Sequence, residues 1–171
     1  MRRVAASAVL ASAVMGLGTT QALADAPKFH SVSSGVSSGG ALVVSFDERG
    51  LGNENVDYTI TAQADATYAC FNRGGKNPSA ANKQSVVGQV EAEEGFEPRN
   101  GRVAGNISAG PPGPGSFSCP GGQRLVLADV TYTDIVLTDD TNDVSTSVIA
   151  ASSVFPPVRP SCQERRRSTP R

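Results

Sequence analysis

The chain reads as an all-β protein: a two-sheet, immunoglobulin-like sandwich of about seven or eight antiparallel strands, with a closed β-barrel as the alternative. Three observations carry this reading. First, Val56, Tyr58, Ile60, Ala62, Ala64, Ala66, Tyr68 and Cys70 alternate with Asp57, Thr59, Thr61, Gln63, Asp65 and Thr67. A helix cannot produce that period of two, because its faces repeat near ~3.6 residues. Second, glycine and proline punctuate the chain at short intervals; third, no window holds a long apolar repeat at helical spacing. Tryptophan is absent, so one familiar immunoglobulin core marker is missing and the expectation stops at the architecture.

The first residues read as an address. Arg2 and Arg3 precede the mostly apolar "VAASAVLASAVMGLG", and Ala22-Leu23-Ala24 supplies a small-x-small cleavage pattern. A signal peptide over 1–24 and secretion of the remainder are expected. The apolar stretch is short and alanine-rich, whereas a membrane span takes about 20 strongly apolar residues. One domain is expected over 25–155 and a disordered basic tail over 156–171.

Within the domain, "KFHSVSSG" reads as a flexible Ser/Gly run carrying the single histidine, His30. "ALVVSFDE" is a strand with Leu42, Val44 and Phe46 on one face. "VDYTITAQADATYAC" is a long half-buried strand, bent at its small alanines. A loop follows through "NRGGKNPSAANK". "SVVGQVEA" and "GRVAGNIS" are shorter strands separated by the charged "EEGFEPRN". "GPPGPGSFS" is a stiff exposed loop, since proline fixes φ. In "QRLVLADVTYTDIVL", Leu125 and Leu127 share one parity and Val130 and Tyr132 the other, which predicts a bulge or break near Asp129. "TDDTND" is a turn, and "VSTSVIAASSV" is the returning strand of a hairpin.

Three cysteines allow three pairings, and in an oxidising compartment a pair normally means a disulfide. Position favours Cys70 with Cys119, because both lie inside the body beside loops while Cys162 sits in the polar tail. The segment "GLGNENVDYTITAQADATYACFNRGGKNPSAANK", followed by "FSCPGGQRLVLADVTYTDI", resembles small exported proteins of actinobacteria. Their Y-x-C-x-N-x-G-G pattern falls on Tyr68, Cys70, Asn72, Gly74 and Gly75, and their N-K on Asn82 and Lys83. Their F-x-C-P-x-G-Q falls on Phe117, Cys119, Pro120, Gly122 and Gln123. The likeness spans about residues 41–140; it supports export and the Cys70–Cys119 bond and implies no activity.

The chemistry is bounded mainly by exclusion. One histidine beside a Ser/Gly run is a poor base for a Ser-His-Asp triad. With two cysteines oxidised, no His/Cys set is left for zinc. "GPPGPGS" follows no strand–helix pattern, so nucleotide binding is not expected, and no cofactor is. Asp57, Asp65, Asp129 and Asp134 lie on or beside strands. Two of them meeting across a cleft would resemble a glycosidase acid pair, but a polar outer strand face explains them equally. Asp139, Asp140 and Asp143 are a weak calcium candidate in a turn-forming sequence. The acidic body, fifteen acidic against eight basic residues over 25–155, contrasts with Arg159, Arg165, Arg166, Arg167 and Arg171 in the tail. Arg165, Arg166 and Arg167 are therefore candidates for a weak polyanion contact.

The expected function is a non-enzymatic binding module for a protein or a surface polymer. Its candidate contact loops carry Asn72, Arg73, Lys76, Asn77, Lys83, Pro111, Pro112 and Pro114. A small secreted hydrolase using paired carboxylates is the alternative.

Overall fold

A computed structural model of the chain describes residues 26–72 and 82–155. Eight strands occupy them: β1 Lys28–Val36, β2 Leu42–Arg49, β3 Val56–Phe71, β4 Lys83–Phe96, β5 Arg102–Ala109, β6 Arg124–Asp139, β7 Val144–Val148 and β8 Ala151–Val154. They form two antiparallel sheets, neither closed into a barrel. The smaller has the order β1-β2-β5, and the larger β4-β3-β6-β7, with β8 also paired to β6.

The period-two stretch becomes β3, the centre of the larger sheet, paired with β4 on one side and β6 on the other. Its even-numbered residues from Val56 to Cys70 are buried. Against them pack Leu42, Val44 and Phe46 of β2 and Val103, Ile107 and Ala109 of β5, so the core is the space between the sheets. At one end of that space Phe29, Phe46, Tyr58 and Phe96 form a cluster of rings with centroids 4.6–6.3 Å apart. On the outer surface of the smaller sheet, Arg102 grips Asp47 across β2 and β5 through two hydrogen bonds of 2.8 and 2.9 Å.

The parity change in β6 is a bulge: Thr67 faces Asp129 and Tyr68 faces Leu127, leaving Ala128 without a counterpart on β3. A second irregularity lies between Thr61/Val136 and Gln63/Thr133, where Asp134 takes a φ of 51°. It carries the inward stripe from Tyr132 to Ile135.

Three local expectations are corrected. The Ser/Gly run after His30 is strand β1. His30 falls between the paired residues Phe29 and Ser31 as an exposed bulge, and beyond it Val32 and Val36 pack against the core. The charged "EEGF" is no separator either, because it completes β4, whose outer edge is open to solvent and tolerates carboxylates. The turn lies after it, at Asn100-Gly101, where both residues have positive φ and Arg99 and Arg102 exchange backbone hydrogen bonds. That is the hairpin geometry an Asn-Gly pair favours. Finally, the returning strand after "TDDTND" is broken into β7 and β8 around the exposed Ile149.

Candidate functional site

The strands of the smaller sheet are 8 or 9 residues long, whereas β3 and β6 have 16 each. The larger sheet therefore extends past its partner at the end carrying Cys70. The chain between β5 and β6 covers this overhang. Cys119 is bonded to Cys70, with Cα atoms 5.5 Å apart. The Tyr68 hydroxyl donates to the Pro112 carbonyl at 2.8 Å. Phe117 packs on the core, and Pro112 stands beside Gly88 of β4. Pro111, Pro112 and Pro114 are accordingly half-buried. The expected stiff exposed loop is instead a cover, with Gly113, Gly115 and Ser116 as its exposed crest.

Several of the sequence-derived loop candidates meet here. Asn72 follows the last residue of β3, and Lys83 opens β4 opposite Ala69; both are exposed beside the covered end. Arg73, Lys76 and Asn77 lie outside the described residues, as do Arg165, Arg166, Arg167 and Cys162 of the tail and the leader over 1–24.

The carboxylate candidates scatter. Asp57 and Asp65 lie on the solvent face of β3, and Asp129 is on the same outer face two residue rows from Asp65's partner Thr131. Asp134 sits at the second bulge. A shallow hollow of about 640 Å³ is lined by Asp57, Tyr58, Thr59, Glu91, Glu93, Glu94, Gly95 and Asp140. Gly95 opens it: a Cβ there would come within 2.8 Å of the Asp57 carboxylate. Asp140 is already engaged by the Thr59 hydroxyl at 2.6 Å.

At the last position of β6, Asp139 points inward and is fully buried. Its Oδ1 accepts the backbone N–H of Thr141 and of Asn142, and its Oδ2 accepts from the Asn142 side chain, at 2.7–2.9 Å. This is the local bonding by which Asp shapes a turn. With Asp140 engaged as well, Asp139, Asp140 and Asp143 are turn residues. Among the described residues no group of three or more His, Cys, Asp or Glu converges as a metal site, and no helix is long and apolar enough to cross a membrane.

Sequence reading missed Glu48. It shares the parity of Leu42, Val44 and Phe46, so the signal was present, but a charged residue at a strand end was not counted inward. Glu48 is fully buried, among the aromatic rings. Burial pushes its carboxyl up to about 7; the Tyr58 hydroxyl opposes this, and the Asp139 charge adds to it. Burial also drives the Tyr58 hydroxyl far above the usual phenol range, with Glu48 contributing. The two side chains lie near each other but fall short of hydrogen-bonding geometry.

No family model, curated protein or solved structure matches the chain.

Proposed function

We propose that this disulfide-stabilised β-sandwich is an exported interaction module that works by binding. Its contact surface is the covered end of the larger sheet. The observation that carries the reading is the stapling of the Gly110–Ser118 loop onto the sheet end where Asn72 and Lys83 emerge. A crest held at its base by a disulfide and a half-buried hydrogen bond loses little conformational freedom on contact, which favours binding. A protein partner fits better than a glycan. The chain has no tryptophan, and Tyr58, Tyr68 and Tyr132 are all buried, so no tyrosine or tryptophan ring is offered for sugar stacking. The resemblance to exported actinobacterial proteins agrees with this reading without naming a partner.

The second reading, a carboxylate hydrolase, draws on the acidic hollow around Asp57, Glu93 and Asp140. One comparison separates the two. Partners are captured from culture supernatant by the wild type, by a Lys83→Glu/Ser116→Arg variant, and by a variant with Asp57, Glu93 and Asp140 neutralised. Loss of a specific partner only with the loop variant supports the binding module. Turnover of a glycan or ester substrate that disappears only with the neutralised carboxylates supports the hydrolase.

A further inference from the structure

The end of the sandwich away from the disulfide holds a polar group with no structural use so far. Neither oxygen of the buried Glu48 carboxyl has a hydrogen-bond partner, and neither does the Tyr58 hydroxyl. Each neighbouring element can be checked for relief. β1 and β5 bring Phe29 and Val103, the cross-strand partners of Glu48, and neither titrates. β4 brings Phe96, whose ring lies against Phe46 and Tyr58. β3 brings Tyr58 and β6 brings Asp139, the two titratable groups that act on the carboxyl. Asp139 has no donor to offer, and its oxygens already accept from its own turn. None of these groups is a cation.

A carboxylate in such a place lacks both water and a counter-charge, an arrangement that cores avoid. A protonated carboxyl is neutral and has an O–H to donate to the Tyr58 oxygen, with a small movement of either side chain. We propose that Glu48 is a proton-operated latch between the two sheets: protonated, it closes this end of the sandwich, and deprotonated, it admits water there.

The pH window follows from the raised carboxyl. The folded chain keeps the Glu48 proton up to about pH 7, whereas in the unfolded chain the group titrates at its ordinary 4.5. Below that value both states are protonated and the stability is fully present. Between the two values only the unfolded state gives up the proton, so stability falls as pH rises, and it levels off above about 7. Across the window the unfolding equilibrium shifts on the order of a hundred-fold toward the unfolded state.

The test is a side-chain carboxyl titration of the wild type by carbon NMR, with amide exchange at pH 5 and pH 8. Denaturant unfolding of wild type and Glu48→Gln across the same range accompanies it. Glu48 should titrate well above the ordinary glutamate range. Amides of β2 and β5 around it should exchange faster at pH 8 after correction for intrinsic rates. The stability of the wild type should fall relative to Glu48→Gln as pH rises. A Glu48 midpoint near the ordinary value overturns the proposal. So does a raised midpoint without faster exchange around Glu48, or parallel pH profiles for the two proteins. If Glu48→Gln does not fold, the wild-type titration and exchange decide alone.

Discussion

Replacing Gly105 with alanine tests the packing that joins the two sheets. The inward stripe of β5 runs Val103, Gly105, Ile107, Ala109, and the space above Gly105 is taken by the Phe96 ring from the opposite sheet. A Cβ at position 105 would stand 2.5 Å from one Phe96 ring carbon and 2.9 Å from the next. Carbon atoms in contact prefer about 3.5–4.0 Å. The ring has little freedom to retreat, because Phe46 and Tyr58 pack against it edge-on at 5.5 and 5.7 Å between centroids. Overpacking of this kind costs about 1–3 kcal/mol, and the lower unfolded-state entropy of alanine offsets about 0.4–1 kcal/mol of it. A net loss of about 1–2 kcal/mol is expected. Gly35 in β1 is the control, since a Cβ there meets nothing within 4 Å. Gly35→Ala should stabilise by about 0.4–1 kcal/mol. Urea unfolding reads both as midpoint shifts at constant slope. In a Phe96→Leu background the Gly105→Ala cost should shrink by about 0.5 kcal/mol or more, the coupling expected of touching residues. Equal effects at the two glycines, or an undiminished cost in that background, would refute the packing argument.

Four further outcomes are expected. Ile60→Ala should destabilise by about 2–5 kcal/mol through lost burial and a residual cavity, seen in denaturant unfolding. Thr61→Ser on the outer face should stay within about 0.5 kcal/mol. Thr59→Val should cost about 1 kcal/mol, because it breaks the hydrogen bond to Asp140; a loss confined to one of the two threonines is the signature to look for. Replacing Cys70 and Cys119 together by serine removes a cross-link over a separation of 49 residues, for which loop-closure entropy gives about 4 kcal/mol. A loss below about 1 kcal/mol in thermal or urea unfolding would show that the cover holds without the bond.

The core strands were legible because burial on one face writes a period of two directly into the residues, as in β3, and because a bulge writes a change of parity, as at Ala128. The same device hid β1: the bulge at His30 separates Phe29 from Val32 and Val36, so no unbroken alternation is left to see. Glu48 obeyed the inward parity of β2, but its charge argued for the surface, and only the three-dimensional surroundings show that it is enclosed. The covered sheet end rests on pairing between distant segments, and the two cysteines were its one sequence signal. Glu93 and Asp57 come together in the acidic hollow through the β3–β4 register, with Gly95 directly opposite Asp57; no local pattern encodes that.

The cover also bears on the order of events as the chain is made. A chain growing from its N-terminus presents Cys70 first, then Cys119, and Cys162 last. By the time Cys119 is present, β3 and β4 have both been made and can pair as sequence neighbours, which fixes the position of Cys70. β6 then begins at Arg124 opposite Phe71, next to the new cross-link, and can zip along β3 from that fixed point. Where the chain emerges N-terminus first into an oxidising compartment, the native bond can form before Cys162 arrives, and it then shortens the search for the next strand. A full-length chain refolded from the reduced state has no such schedule. All three thiols compete at once, and mispaired species should accumulate that ordered synthesis avoids.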